Sequence, residues 1–196
     1  MFQSKDYIQR KHGRGTSDRS YYLTQLAQEY RATKDTEAKQ QVLAHLANFA
    51  YDPINYDTLW DIYAVDIFIE AISNSDMKQR EFGAGGLANI CLEPRHHEYI
   101  TGNKETLDAL VSCLENSNSD VVKINAITCL MQLVTEKNYS SKLITKYVYN
   151  VFILFFLLAL LSKELEQHLK TISLSSTSSK TLVNLTNLFL TDYYHY

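Results

Sequence analysis

The residues best placed to do chemistry are carboxamides that recur at near-constant spacing. Asn48 occupies the sixth position of Leu43-Ala44-His45-Leu46-Ala47-Asn48-Phe49, and Asn89 the sixth of Ala84-Gly85-Gly86-Leu87-Ala88-Asn89-Ile90, 41 positions later. The two runs share Leu46/Leu87, Ala47/Ala88 and Asn48/Asn89 without a gap. After a further 43 positions Gln132 fills the same slot in Ile127-Thr128-Cys129-Leu130-Met131-Gln132-Leu133, and Asn187 does so in Leu182-Val183-Asn184-Leu185-Thr186-Asn187-Leu188. A carboxamide carries an acceptor oxygen and two donor hydrogens, so it pairs with both the C=O and the N–H of an extended main chain. One such rung per repeat would hold a partner polypeptide whatever its sequence. The candidate partner-binding residues are Gln41, Ala44 and Asn48, then Phe82, Gly85 and Asn89, then Thr128 and Gln132.

Other constellations fall short of catalysis. His96 and His97 are sequence neighbours, which point different ways on a helix, and no Cys or carboxylate arrives at metal-ligand spacing. Gly83-Ala84-Gly85-Gly86 lacks the Lys-Ser/Thr ending of a phosphate loop and sits within a helical pattern rather than after a strand. Cys91, Cys113 and Cys129 lie on apolar helical patterns without CxxC spacing, which reads as small buried thiols. No enzyme activity, cofactor or metal is expected.

Helices must carry the carboxamides. Only 6 Gly and 2 Pro occur in 196 residues, too few turn residues for a fold of many short strands. The matched runs end helices expected near 36–50, 77–91 and 121–135, each opened by a short polar capping residue in Asp35-Thr36, Ser75-Asp76 and Ser119-Asp120. Asp52-Pro53 and Glu93-Pro94 mark breaks, since Pro drives the residue before it out of helical geometry. A short helix and then an apolar one, AVDIFIEAIS or ETLDALVSCL, precede the next cap. Before the repeats, Tyr21–Thr33 sets Leu23, Leu26, Ala27 and Tyr30 on one face, as an end-capping helix requires. The formal charge of −3 gives no general attraction to nucleic acid. Residues 1–19 form a basic arm with Lys5, Arg10, Lys11, Arg14 and Arg19, and MFQSKDYIQRKHGRG contains no apolar run of the signal-peptide kind.

Spacings of 41 and 43 fall in the range of two- and three-helix solenoid units. ITGNKETLDALVSCLENSNSDVVKINAITCLMQLV resembles an armadillo repeat: a Gly before the second helix, a capped turn, and a third helix ending in Leu-x-(Asn/Gln)-Leu. The resemblance implies an all-α fold, a short right-handed solenoid of about three units spanning 20–140, whose third helices line a concave groove faced by the Asn. Import receptors of that family place Trp one turn before this Asn; here Ala44, Gly85, Thr128 and Val183 stand in those slots. QQVLAHLANFAYDPINYDTL, REFGAGGLANIC and TLVNLTNLFLTDYY are more narrowly similar to one branch of the family. That branch implies a nuclear pre-mRNA splicing factor paired with an RNA-recognition-motif protein in the minor spliceosome, touching RNA only indirectly and forming no homo-oligomer.

Residues 141–180 depart from the family pattern and read as a divergent apolar insertion followed by a Ser-rich linker, ISLSSTSSK, before a carboxy-terminal helix over 181–196. Val151–Leu161 is an unbroken apolar run. As a helix it spans about 16 Å, well short of the roughly 30 Å of a hydrocarbon layer. Two other readings compete with the splicing role: a cytoplasmic adaptor or transport receptor for linear peptides, and a scaffold tethered to membranes through 147–161.

Overall fold

The computed structural model describes residues 15–134 and 162–194, with side chains from residue 19 onward. These residues form ten α-helices and one 3-10 turn, and no strand is found among them. In chain order they are α1 (Gly15–Ala32), α2 (Thr36–Ala50), α3 (Tyr56–Asp61), α4 (Ala64–Ile72), α5 (Met77–Ile90), α6 (Pro94–Thr101), α7 (Lys104–Asn116), α8 (Asp120–Val134), α9 (Lys163–Ser173) and α10 (Lys180–Tyr194). The architecture is an all-α solenoid. The third helices α2, α5, α8 and α10 stack in sequence, with α1 against α2 at one end.

The caps are set by the residues that mark the starts in sequence. Asp35 accepts from Glu37 N, Asp76 from Gln79 N at 2.8 Å, and Ser119 Oγ from Val122 N at 3.4 Å. Each satisfies one of the amides that a helix start leaves without an intrahelical partner. Pro53 and Pro94 open the next elements, where a missing N–H costs nothing.

α5 is the keystone of the stack, in contact with α2, α4 and α8 at once. A helix covered on three sides has little surface left for polar side chains, and it approaches its neighbours closely only where its side chains are small. A Cβ on Gly83 would stand 2.7 Å from Ala71 Cβ, and one on Gly86 would stand 2.5 Å from the Phe68 ring. The glycines are therefore packing residues, and they let Phe68 of α4 lie fully buried against the α5 backbone. Leu46 and Leu87, equivalent in the repeat, are both completely buried, each adding about 1.5–3 kcal/mol of transfer free energy.

Two expectations need correction. The end helix begins at Gly15 rather than Tyr21, so residues 15–19 of the basic arm are helical, and Arg19 faces Asp52 at 3.8 Å. Within 141–180, where an insertion and linker are expected, Lys163–Ser173 forms α9, capped by Ser162 and burying Leu165, Leu169 and Ile172. α9 packs on α10 and also meets α7, as the second helix of a further repeat would. Only the turn before α10 remains of the linker, and there Ser179 Oγ caps Leu182 N. The apolar run 151–161 and the span 147–161 lie outside the described residues. Among the described residues no helix is long and apolar enough to cross a membrane.

Candidate protein-binding face

The eight residues expected in the groove all lie on the third-helix row, and the structure separates them into two groups. Gln41 and Asn48 of α2 are exposed, with Ala44 half-buried between them. On α5, Phe82, Gly85 and Asn89 are half-buried, as are Thr128 and Gln132 on α8. Phe82 leans on the hydrophobic core.

Asn89 Nδ2 donates at 3.0 Å to the carbonyl of Ala47, in the last turn of α2. Carbonyls in the last turn have no intrahelical N–H to receive, so this side chain of one repeat caps the third helix of the repeat before it. Gln132 acts one repeat later, its Oε1 accepting from Cys91 Sγ at 2.9 Å just past the end of α5. In the last repeat the same job passes to Tyr193, whose hydroxyl donates to Met131 O at 3.2 Å. The recurring carboxamide is thus an inter-repeat tie at Asn89 and Gln132, while at Asn48 the side chain stands in solvent. The expected uniform ladder of peptide-facing amides is replaced by a graded one.

Some of these contacts were not expected from spacing. Asn125 Nδ2 donates to Glu81 O at 3.1 Å, a second α8-to-α5 tie two helical turns before Gln132 on the same face. A Cβ on Gly85 would meet that Asn125 amide at 3.2 Å. Gln40 Nε2 bonds both carboxylate oxygens of Asp76, at 3.0 and 3.1 Å, and so joins α2 to the cap of α5. The repeated third-helix amides carried the signal; the identity of their partners did not follow from it.

The histidines and thiols serve the scaffold. His96 is wholly buried, edge-on to Tyr56 and Trp60 with centroids 5.9 and 5.3 Å away. Burial outweighs the Glu93 carboxylate 2.7 Å from its Nδ1 and lowers its pKa, which favours the neutral ring. His97 Nε2 pairs with Leu133 O at 3.1 Å, another end-of-helix carbonyl, and burial lowers its pKa as well. The thiol of Cys129 is pushed up by its hydrogen bond with Cys91 and by burial, which keeps it protonated and unreactive. No cluster of metal-ligating residues occurs among the described residues.

No family model matches the chain. Over 66 residues it is 44% identical to armadillo repeat-containing protein 7 of Mus musculus, a match covering 34% of this chain and 33% of that relative. The match spans about a third of the relative's length, so the similarity reaches an armadillo-type repeat and nothing narrower.

Proposed function

We propose that the protein is a non-catalytic scaffold that holds a partner polypeptide along its third-helix face. The observation that carries this reading is the stack α2–α5–α8–α10, tied helix to helix by the amides of Asn89, Gln132 and Asn125 and by the Tyr193 hydroxyl, and leaving Gln41 and Asn48 outward. Binding to such a surface is inexpensive, because the recognition face is ordered before the partner arrives. Asn48 supplies donors and an acceptor, and Asn89 keeps its Oδ1 acceptor after giving a hydrogen to Ala47. Ala44 and Gly85 beside them make a shallow floor that admits bulky partner side chains.

We further propose, on the resemblance of LANFAYDPINY and REFGAGGLANIC alone, a nuclear role in pre-mRNA splicing. The partner would be an RNA-recognition-motif protein of the minor spliceosome, and contact with RNA would be left to that partner. Affinity purification of the full chain followed by mass spectrometry tests this. Splicing factors including an RNA-recognition-motif protein are expected; recovery of transport cargo or membrane proteins without splicing factors contradicts the role.

A further inference from the structure

Away from the third-helix row, the corner between α3 and α4 meets α6 at a cleft of about 140 Å3 with aromatic walls. Trp60, Tyr63 and Tyr99 form those walls, and Asp66 stands at the edge. Trp60 and Tyr99 are set edge to face, 6.0 Å between centroids and 83° between planes. Tyr99 donates its hydroxyl to Asp66 Oδ1 at 2.6 Å, which fixes both ring and carboxylate. Tyr63 is 67% exposed.

Tyr63 is also the one described non-glycine residue with positive φ, at φ 56° and ψ 45°. This left-handed site ends α3, where Gly is the residue without strain and any side chain is strained. An aromatic ring kept there against that strain, and held in solvent, calls for a use outside the fold. The electrostatics name the use. Between residues 40 and 77 the chain has Asp52, Asp57, Asp61, Asp66, Glu70 and Asp76 and no Lys or Arg. Asp52, Asp57 and Glu70 face Arg19, Arg95 and Lys39, whereas Asp66 forms no ion pair with a cation of the described residues. The Trp60 ring already accepts a cation, since the Arg95 guanidinium lies 5.6 Å from its centroid in the adjoining depression.

We propose that this cleft binds an alkylammonium group, the head of a lysine, methylated or not, on a partner polypeptide. The rings offer their negative faces to the cation, and Asp66 offers the countercharge. The site lies on first and second helices, so it adds a contact that is independent of the third-helix face.

Trp60 is the only tryptophan of the chain, and its fluorescence reports the site directly. The full chain is titrated with acetylated, amidated trimethyl-lysine, with the corresponding unmodified lysine, and with the uncharged tert-butyl isostere of the trimethyl form. At least one ammonium compound is expected to change the emission saturably, and the isostere to bind roughly tenfold more weakly or not at all. The ratio of the two ammonium affinities identifies the preferred methylation state. Asp66→Asn should weaken binding several-fold. Tyr63→Gly removes a wall while relieving the left-handed strain, so it should abolish the response while helicity and melting temperature hold or rise. An equal response to the neutral isostere, no response to either cation, or full binding by a folded Tyr63→Gly overturns the proposal.

Discussion

Asn89 and Ala47, 42 positions apart in the chain, are joined by a 3.0 Å hydrogen bond that runs from the side chain of one repeat to the main chain of the one before. Repeat proteins gain stability chiefly from interfaces between neighbours, and this bond lies at such an interface. It also closes the end of α2, where Asn48 O accepts from Tyr51 N and Asn55 Nδ2 donates to Phe49 O at 2.7 Å. The last turn of α2 thus has its carbonyls occupied one after another, and Asn48 is carried on a turn that cannot fray freely.

Asn89→Ala removes that tie and leaves the Ala47 carbonyl to find water. A net loss of about 1 kcal/mol is expected, lowering the melting temperature by about 2–4 °C. Thermal unfolding followed by circular dichroism measures it. Asn89→Asp keeps the shape but replaces the donor with an acceptor against a carbonyl, so it should be at least as damaging.

Gly86→Ala sets a methyl 2.5 Å from the Phe68 ring. Helix propensity favours Ala by about 1 kcal/mol, but overpacking costs about 1–3 kcal/mol, and a buried aromatic ring has nowhere to withdraw. A net destabilisation is expected in urea unfolding, and Phe68→Leu in the same chain should recover part of it. Gly85→Ala meets only the end of the Asn125 side chain at 3.2 Å, so its cost should be much smaller.

The buried histidines make stability depend on pH. In the folded chain burial lowers the pKa of both His96 and His97 below the usual 6.5, so the unfolded chain binds more protons as the solution is acidified. Stability should therefore be fully present above about pH 6.5 and decline as pH falls below it. Urea midpoints taken between pH 7.5 and 5.5 check the slope. A rise in stability over that interval would mean that Glu93 holds His96 charged in the folded state.

Much of the fold was legible because it rests on local signals. Asp35, Asp76 and Ser119 cap helices in the structure as their spacing indicates, and the repeat places Leu46 and Leu87 at equivalent core positions. α9 had a signal too, with Leu165, Leu169 and Ile172 on one face, but the neighbouring apolar run obscured it. The site was legible in position and not in partnership. Spacing sets Asn48, Asn89 and Gln132 on one row, yet whether an amide meets solvent or the preceding repeat depends on what lies in front of it, and α2 has only α1 there. The aromatic cleft was invisible because Tyr99 joins Trp60 and Tyr63 from a helix more than thirty positions away, and the left-handed turn at Tyr63 falls at a residue type that seldom adopts it.

The face of α2 gives the most direct test of the scaffold. Gln41→Ala with Asn48→Ala removes two exposed amides that hold no part of the fold, so the melting temperature should stay within about 1 °C. Affinity for the co-purified partner, measured against the unaltered chain, should fall about thirtyfold, as expected for two lost hydrogen bonds near 1 kcal/mol each. Undiminished capture by the folded double variant would contradict the proposed binding face.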